Sequence, residues 1–190
     1  MNKKLVQWLN FLVVFGVNAI FLLYPVAGLT ITDDMGSEIV LVKPAQRVIS
    51  LSPHLTELVF AIDQGEKLVG VMSFSNYPEA AKKIPRIGSH NKISYESIAQ
   101  IQPDLILAWG SGNGSEAINK LKSLGFSVYV SEPNKLEGVA ATIRKLGILL
   151  GVKDKGENEA NKFINRLSKL KENYSDRRKM SVFYQLSDNP

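Results

Sequence analysis

The sequence predicts an α/β fold: a Rossmann-like lobe on a parallel sheet, followed by a long helix and one further strand. Short apolar, β-prone segments recur without polar alternation, which is typical of strands buried on both faces. Amphipathic helical segments separate these strands, as in sheets covered by helices. The 190 residues are 45% hydrophobic and 22% charged, a balance typical of a chain that buries a core.

Residues 1–28 have the layout of a secretory signal peptide. Lys3 and Lys4 precede an apolar run over 11–23, and the small pair Ala27-Gly28 follows it. The run is shorter than the roughly 20 residues that span a bilayer as a helix. Export is therefore expected, with an uncleaved membrane anchor as the alternative.

The next elements are a hairpin, a strand and a helix. Two β-prone stretches flank an Asp-Asp-Met-Gly turn, which predicts an N-terminal hairpin within 29–45. The β-branched run 47–51 predicts a short buried strand. Ser52 followed by Pro53 is a typical helix start, and the helical pattern continues over 56–62.

Strands and helices then alternate along the chain. Further strands are predicted at 68–72, Ile87, 104–108 and 127–130. An amphipathic helix is predicted over 115–124, and Gly125 ends it. Because the strands are separated by helices, they are expected to run parallel in one sheet.

Two long helices and a strand complete the predicted elements. The helices cover 136–150 and 155–173, and the second is highly charged. The strand covers 181–186 and comes just before the last residue of the sequence. No predicted strand is left to pair with it, so the chain is expected to stop just inside a second domain.

The composition excludes several classes of function. Cysteine is absent, which excludes disulfides, thiol nucleophiles and cysteine zinc sites. The two histidines, His54 and His90, have no spacing that suits a metal site. The formal charge of +5 is too mild and too evenly spread to predict nucleic-acid binding. Acids, bases and nucleophiles do not converge, so we expect neither an enzyme nor a catalytic cofactor.

The segment from Gly110 to Gly114 invites comparison with a phosphate-binding loop. It follows a predicted strand and precedes a helix, where backbone N–H groups can meet a phosphate. It lacks the Gly-Lys-Ser/Thr ending of a triphosphate loop, and Ser115 stands where the dinucleotide fingerprint needs glycine. A reductase or nucleotide enzyme therefore remains only an alternative to a flexible turn that a ligand can approach closely.

Ligands of open parallel sheets bind beyond the carboxyl ends of the strands. The residues at those positions are aromatic or small and polar, with almost no charge. They are Ser52-Pro53-His54, 73–78, Ser89-His90-Asn91 and 109–113. Such a lining predicts a large, partly flat organic ligand. The alternatives are that Phe74 or Trp109 folds back on the core and that His90 is merely solvated.

Several separated blocks occur in a familiar order and spacing. They are 47–61, 68–71 with Tyr77-Pro78, 85–89, 96–98 and 102–109. Together they resemble the first lobe of periplasmic substrate-binding proteins of ABC importers for cobalamin, haem and ferric siderophores, over nearly all of 45–190. The block 108–113 and Leu124-Gly125-Phe126 are most similar to the cobalamin-binding branch.

The resemblance implies a domain organisation. Proteins of this family clamp their ligand between two α/β lobes that one long, rigid helix joins. By this resemblance 46–152 form the first lobe, 153–175 the interlobe helix, and 180–190 the incomplete start of a second lobe whose remainder is missing. It also implies a monomer.

The resemblance further implies a binding protein that captures cobalamin in the periplasm and delivers it to an inner-membrane ABC transporter. Phe74 falls where an aromatic side chain packs on the corrin, and His90 where this branch can carry another aromatic. Pro53 would form the inner wall of the cleft. The residues of its floor would be Trp109, Gly110, Ser111, Gly112 and Asn113.

Glu96 would dock the protein on its transporter. The resembling position is an exposed glutamate that meets arginines on the permease subunits. A glutamate in the first turn of a helix is also favoured by the helix dipole alone.

Within the same family, haem or a ferric siderophore is the alternative ligand. Haem-binding relatives place an iron-ligating side chain on the loop where His90 lies, and imidazole is a good haem ligand. A siderophore site would present Arg or Lys to the chelating oxygens, and the predicted rim offers few cations.

Overall fold

The computed structural model describes residues 28–89 and 92–185. Apart from Gly28, the predicted signal peptide lies outside the described residues, as do His90 and Asn91. Within the described ranges, no helix has the length and apolar character needed to cross a membrane.

The secondary structure alternates strands and helices as predicted. The strands are β1 Leu29–Thr32, β2 Glu38–Leu41, β3 Val48–Ser50, β4 Leu68–Val71, β5 Gly88–Ser89, β6 Lys92–Ile93, β7 Leu105–Trp109 and β8 Val128–Ser131. The α-helices are α1 Pro53–Ala61, α2 Tyr95–Ile101, α3 Gly110–Asn113, α4 Ser115–Ser123, α5 Leu136–Leu149 and α6 Lys153–Tyr174. Two 3₁₀ helices cover Gly65–Lys67 and Glu79–Lys83.

The central sheet has four parallel strands in the order β4-β3-β7-β8. This confirms the predicted α/β class. Strand β7 is buried on both faces: Leu105 and Leu107 join the core cluster to which α1 and α5 contribute, whereas Ile106 and Ala108 join the cluster of α2 and α4. Because helices cover both faces, the strand sequences have no polar alternation.

The N-terminal hairpin pairs β1 with β2 in antiparallel register. Its turn is held by the Asp33 carboxylate, which accepts hydrogen bonds from the N–H groups of Met35 (2.9 Å) and Ser37 (2.7 Å). The Asp34 N–H donates to the carbonyl of Val130 at 3.0 Å, so the turn is fastened to β8.

A short hairpin replaces the strand predicted at Ile87. The N–H of Ile87 donates to the carbonyl of Val71 at 3.0 Å, which continues the edge of β4 for one bridge. The chain then forms β5 and turns back into β6, which pair in antiparallel register. A single bridging residue is too short to count as a strand, and the pairing shifts to the next two residues.

Helix α6 packs against α5 through glycine on both sides. A Cβ atom on Gly156 would lie 2.8 Å from the Cα of Gly147, so only glycine allows this approach. Gly156 and Ala160 are buried, whereas every side chain from 168 to 174 is exposed. The helix begins two residues before, and ends one residue after, the predicted range 155–173.

The strand predicted at 181–186 is not formed. Residues 180–185 have no regular secondary structure and are exposed, and Leu186 lies outside the described residues. β-Prone residues form a strand only where a neighbouring strand accepts and donates their hydrogen bonds. None of the sheets of the described residues includes residues 180–185, so the described part of the predicted strand is irregular.

Candidate functional site

A cavity of about 330 Å³ lies at the carboxyl ends of β3, β4 and β7. Its lining residues are Leu51, Ser52, Pro53, Met72, Ser73, Phe74, Trp109, Gly112 and Asn113. None of them is charged. The structure thus brings together the five predicted site residues Pro53, Phe74, Trp109, Gly112 and Asn113, at the edge of the sheet where ligands of this architecture bind. A volume of this size suits part of a large ligand rather than all of it.

Trp109 ends β7 and lies over the glycine-rich turn. Its side chain is 38% exposed, so it faces the cavity instead of folding fully into the core. The indole packs directly over Gly112, where any Cβ atom would overlap the ring. Glycine at this position is therefore needed for the indole to lie flat against the turn.

Asn113 ties two strand ends together. Its Oδ1 accepts a hydrogen bond from the N–H of Trp109 at 2.7 Å, and its Nδ2 donates to the carbonyl of Leu51 at 2.9 Å. The side chain therefore satisfies backbone groups left unpaired where β7 and β3 end. This explains why Asn113 lines the cavity as part of a fixed turn.

Phe74 is held out into solvent by its loop. It is 73% exposed and has a positive φ of 69°, a conformation that is uncommon for a residue other than glycine. The next residue, Ser75, is buried and accepts a hydrogen bond from the Thr56 hydroxyl (3.3 Å). Its carbonyl accepts another from Arg86 (2.9 Å). These contacts fix the loop, so Phe74 does not fold back on the core.

His54 belongs to the predicted lining segment Ser52-Pro53-His54, but no contact with the ligand is predicted for it. It is the second residue of α1, and its Nδ1 lies 3.2 Å from the Ser52 hydroxyl oxygen. Its ring meets that of Trp109 edge-on, with centroids 5.3 Å apart and an interplanar angle of 87°. Burial lowers the pKa of His54, and the nearby Glu132 carboxylate partly opposes this. The sequence signal that could have identified this contact is the position of His54 shortly after strand β3.

The remaining predicted residues of the glycine-rich turn face away from the cavity. The N–H and hydroxyl of Ser111 donate to the Glu132 carboxylate at 2.6 and 3.0 Å. A Cβ on Gly110 would lie 2.7 Å from the same carboxylate. Since Glu132 already occupies the donors that a phosphate would need, this turn is a poor nucleotide loop.

Glu132 itself is fixed from the other side. Its N–H donates to Asp34 at 2.8 Å, and Asp34 also accepts a hydrogen bond from Lys145 at 2.7 Å. No pattern in the sequence predicts this arrangement, because Asp34, Ser111, Glu132 and Lys145 are widely separated along the chain. We call Ser111, Glu132, Asp34 and Lys145 the turn clamp.

His90 and Asn91 lie outside the described residues, but β5, the strand just before them in the sequence, adjoins the cavity. Both the N–H and the hydroxyl of Ser73 donate to the carbonyl of Gly88 at 3.0 Å. Ser73 lines the cavity, so β5 is fastened to its wall. Within the described residues, no group of three or more His, Asp or Glu side chains could hold a metal ion.

Glu96 lies away from the cavity, as the second residue of α2. Ser94 caps this helix by accepting a hydrogen bond from the N–H of Ser97 at 3.3 Å. The Glu96 side chain is exposed. Its position in the first helical turn therefore agrees with the predicted helix start.

Comparison with known proteins adds an independent finding. The profile of the periplasmic binding protein family matches residues 48–190. The chain is 40% identical over 147 residues to a vitamin B12-binding protein of Vibrio campbellii, covering 77% of this chain and 54% of that relative. It is 36% identical over 146 residues to one of Yersinia pestis, covering 77% and 52%. The chain thus spans about half the length of these curated relatives.

Solved structures agree with this. The periplasmic vitamin B12-binding protein BtuF of Vibrio cholerae superposes with a TM-score of 0.73 at 39% identity, covering 77% of this chain and 58% of that chain. A periplasmic haem-binding protein from Pseudomonas aeruginosa gives a TM-score of 0.62 at 27% identity, covering 67% and 46%.

Proposed function

Because the chain belongs to the periplasmic binding protein family, we propose that it captures cobalamin in the periplasm and delivers it to an inner-membrane ABC transporter. Curated relatives at about 40% identity are named vitamin B12-binding proteins, which supports this ligand. The activity is binding and release, without a chemical step.

The observation that carries the proposal is the pairing of two exposed aromatic side chains in one uncharged cavity. Phe74 and Trp109 both line it. A corrin offers a large flat face that gains stacking and apolar contact from such rings. Its amide substituents are neutral and can exchange hydrogen bonds with Ser73 and backbone groups. An uncharged lining avoids leaving an unpaired charge beneath the ligand.

Six of the predicted contact residues are proposed in their predicted roles. Phe74 and Trp109 supply the stacking surfaces, Pro53 the inner wall, and His90, which follows β5 in the sequence, a further contact. Gly112 and Asn113 form the floor beneath the ligand. Gly110 and Ser111, predicted in the same floor, are not among the residues that line the cavity and lie against Glu132 instead.

Haem is the second candidate ligand. The similarity to a haem-binding protein and a histidine between β5 and β6 in the sequence both favour it. His90 would then ligate the iron. Haem carries two carboxylates that need cationic partners, and the cavity lining supplies none, so cobalamin is preferred.

Separate titrations with cyanocobalamin and haemin test the assignment. We expect saturable calorimetric binding of cyanocobalamin and no low-spin iron spectrum with haemin. If haemin instead gives a low-spin spectrum that His90→Ala abolishes, the haem alternative replaces the proposal. Binding of neither compound would contradict both.

The partners follow from the same proposal. The protein acts as a monomer in the periplasm, and its partner is the permease of the transporter. Glu96 meets cationic side chains of that permease, and its exposure at the start of α2 is compatible with this role.

A further inference from the structure

His54 links the start of α1 to the aromatic floor of the cavity. On one side, its Nδ1 lies 3.2 Å from the hydroxyl oxygen of Ser52. That hydroxyl is buried and also caps the helix, accepting a hydrogen bond from the N–H of Leu55 at 3.4 Å. On the other side, the imidazole meets the Trp109 indole edge-on. The ring is therefore held between a fixed hydroxyl and the proposed stacking surface.

The surroundings of His54 favour its neutral form. It occupies the first turn of α1, where the helix dipole disfavours a positive charge. Partial burial removes water that would solvate an imidazolium and lowers the pKa of His54. Within the described residues, the Glu132 carboxylate is the charged group that raises the pKa of His54, and it opposes the effect of burial only in part. The neighbouring Ser52 and Trp109 side chains are uncharged.

We propose that neutral His54 is a positioning residue that orients the Trp109 indole for ligand stacking, and that its protonation disturbs this orientation and weakens ligand capture. The inference deepens the proposed function, and its second part rests on that function. Neither stacking nor iron ligation by His54 is involved, since it acts on the ligand through Trp109.

Ligand binding and proton binding at His54 then oppose each other. A flat ligand that covers Trp109 removes further water from His54, so the bound state excludes the proton more strongly than the free state. At a pH below the pKa of His54 in the ligand-free protein, the imidazolium must lose its proton before the ligand binds. The largest possible loss of affinity at pH 5 is about 30-fold, the limit for a histidine with an unperturbed pKa of about 6.5. Burial lowers the pKa of His54, so we expect a measurable loss that stays below this limit.

Trp109 itself can report on His54. The sequence has two tryptophans, Trp8 and Trp109, so a Trp8→Phe background leaves Trp109 as the single indole probe. Protonated imidazole quenches indole emission at close contact. We expect Trp109 emission to fall between pH 7.5 and pH 5, and this response to disappear in His54→Phe and in His54→Gln. An unchanged response in both variants would overturn the proposal.

The consequence for binding is measured with cyanocobalamin as the probe. In each variant the ratio of the Kd at pH 5 to the Kd at pH 7.5 is taken, so that affinity changes common to both conditions cancel. We expect a ratio above one, but below about 30, in the wild type and a ratio of about one in His54→Phe. His90→Gln, the other histidine substitution, should retain the wild-type ratio. Loss of the pH dependence in His90→Gln but not in His54→Phe assigns it to His90 and refutes the inference.

The two proposals can fail separately. If cyanocobalamin and haemin do not bind at pH 7.5, the proposed function and the affinity part of this inference are both wrong. The emission of Trp109 in the ligand-free protein still decides whether His54 takes up its proton in contact with the indole. Conversely, tight binding of cyanocobalamin with a Kd ratio of one in the wild type supports the function and overturns the inference.

Discussion

Phe74 and Trp109 are the side chains on which the ligand proposal depends most directly. Both are exposed at the cavity, and neither is needed to fill the core. We expect Phe74→Ala and Trp109→Ala each to weaken cyanocobalamin binding by about 1 to 3 kcal/mol, because aromatic burial is lost.

Calorimetry measures the Kd of each variant, and thermal unfolding checks its fold. Tyr174→Ala is the matched control: it removes an exposed aromatic ring on α6 and should bind normally. If all three variants bind cyanocobalamin with the same affinity, Phe74 and Trp109 are not ligand contacts and the proposed site is wrong.

A second residue-scale prediction concerns acid stability. The pKa of His54 is lowered in the folded chain, so the unfolded chain binds more protons below about pH 6.5. Its contribution to stability is therefore present above this pH and is lost as the pH falls further. We expect His54→Gln to lose less stability than the wild type between pH 7.5 and pH 5, as measured by urea unfolding. Equal losses would mean that His54 titrates alike in both states.

At the scale of elements, the contact between α5 and α6 is the sharpest steric constraint. Alanine at Gly156 would gain about 1 kcal/mol of helix propensity. However, its Cβ would lie 2.8 Å from the backbone of Gly147, which cannot move as a side chain can. Overpacking of this kind costs about 1 to 3 kcal/mol, so we expect Gly156→Ala to be destabilising overall.

Urea unfolding measures this effect against Asn158→Ala. Asn158 lies two residues further along the same helix and is exposed. This control gains helix propensity without a clash, so its stability should stay equal or rise slightly. A stabilised Gly156→Ala would show that the two helices separate easily.

The elements were predictable where one segment carries its own signal. The run over 105–108 is apolar throughout because both its faces are buried, and Ser52-Pro53 marks the start of α1 whatever lies around it. The prediction of a strand at 181–186 was wrong for the described residues 181–185. The β-propensity of a segment indicates its local preference but does not show whether a neighbouring strand is present to pair with it. The pairing of His54 with Trp109 was missed for the same reason, since their contact exists only after β3 and β7 are adjacent.

At the scale of the whole molecule, Glu96 is proposed to act on recognition of the transporter. An exposed charge pair contributes mainly to orientation and association rate, and salt screens it. We expect Glu96→Ala to leave cyanocobalamin affinity unchanged but to slow association with the transporter. The deficit should shrink as ionic strength rises.

Stopped-flow measurement with the purified transporter in proteoliposomes checks this prediction. Glu116→Ala is the matched control, because Glu116 is also an exposed glutamate in the first turn of a helix. Wild-type association by Glu96→Ala at low salt would mean that Glu96 only starts its helix. Equal slowing by Glu116→Ala would indicate a general charge effect.

The turn clamp has a consequence for the order in which the chain folds. Asp34 is near the beginning of the described chain, yet its partners Glu132 and Lys145 lie 98 and 111 positions later. A polypeptide emerges with its amino end first, so the hairpin must wait until Lys145 has emerged before these contacts can form. Closing so long a loop is slow compared with forming the neighbouring helices. The hairpin that carries Asp34 therefore emerges early but is among the last segments to be fixed, and until then Glu132 holds Ser111 without support from Asp34.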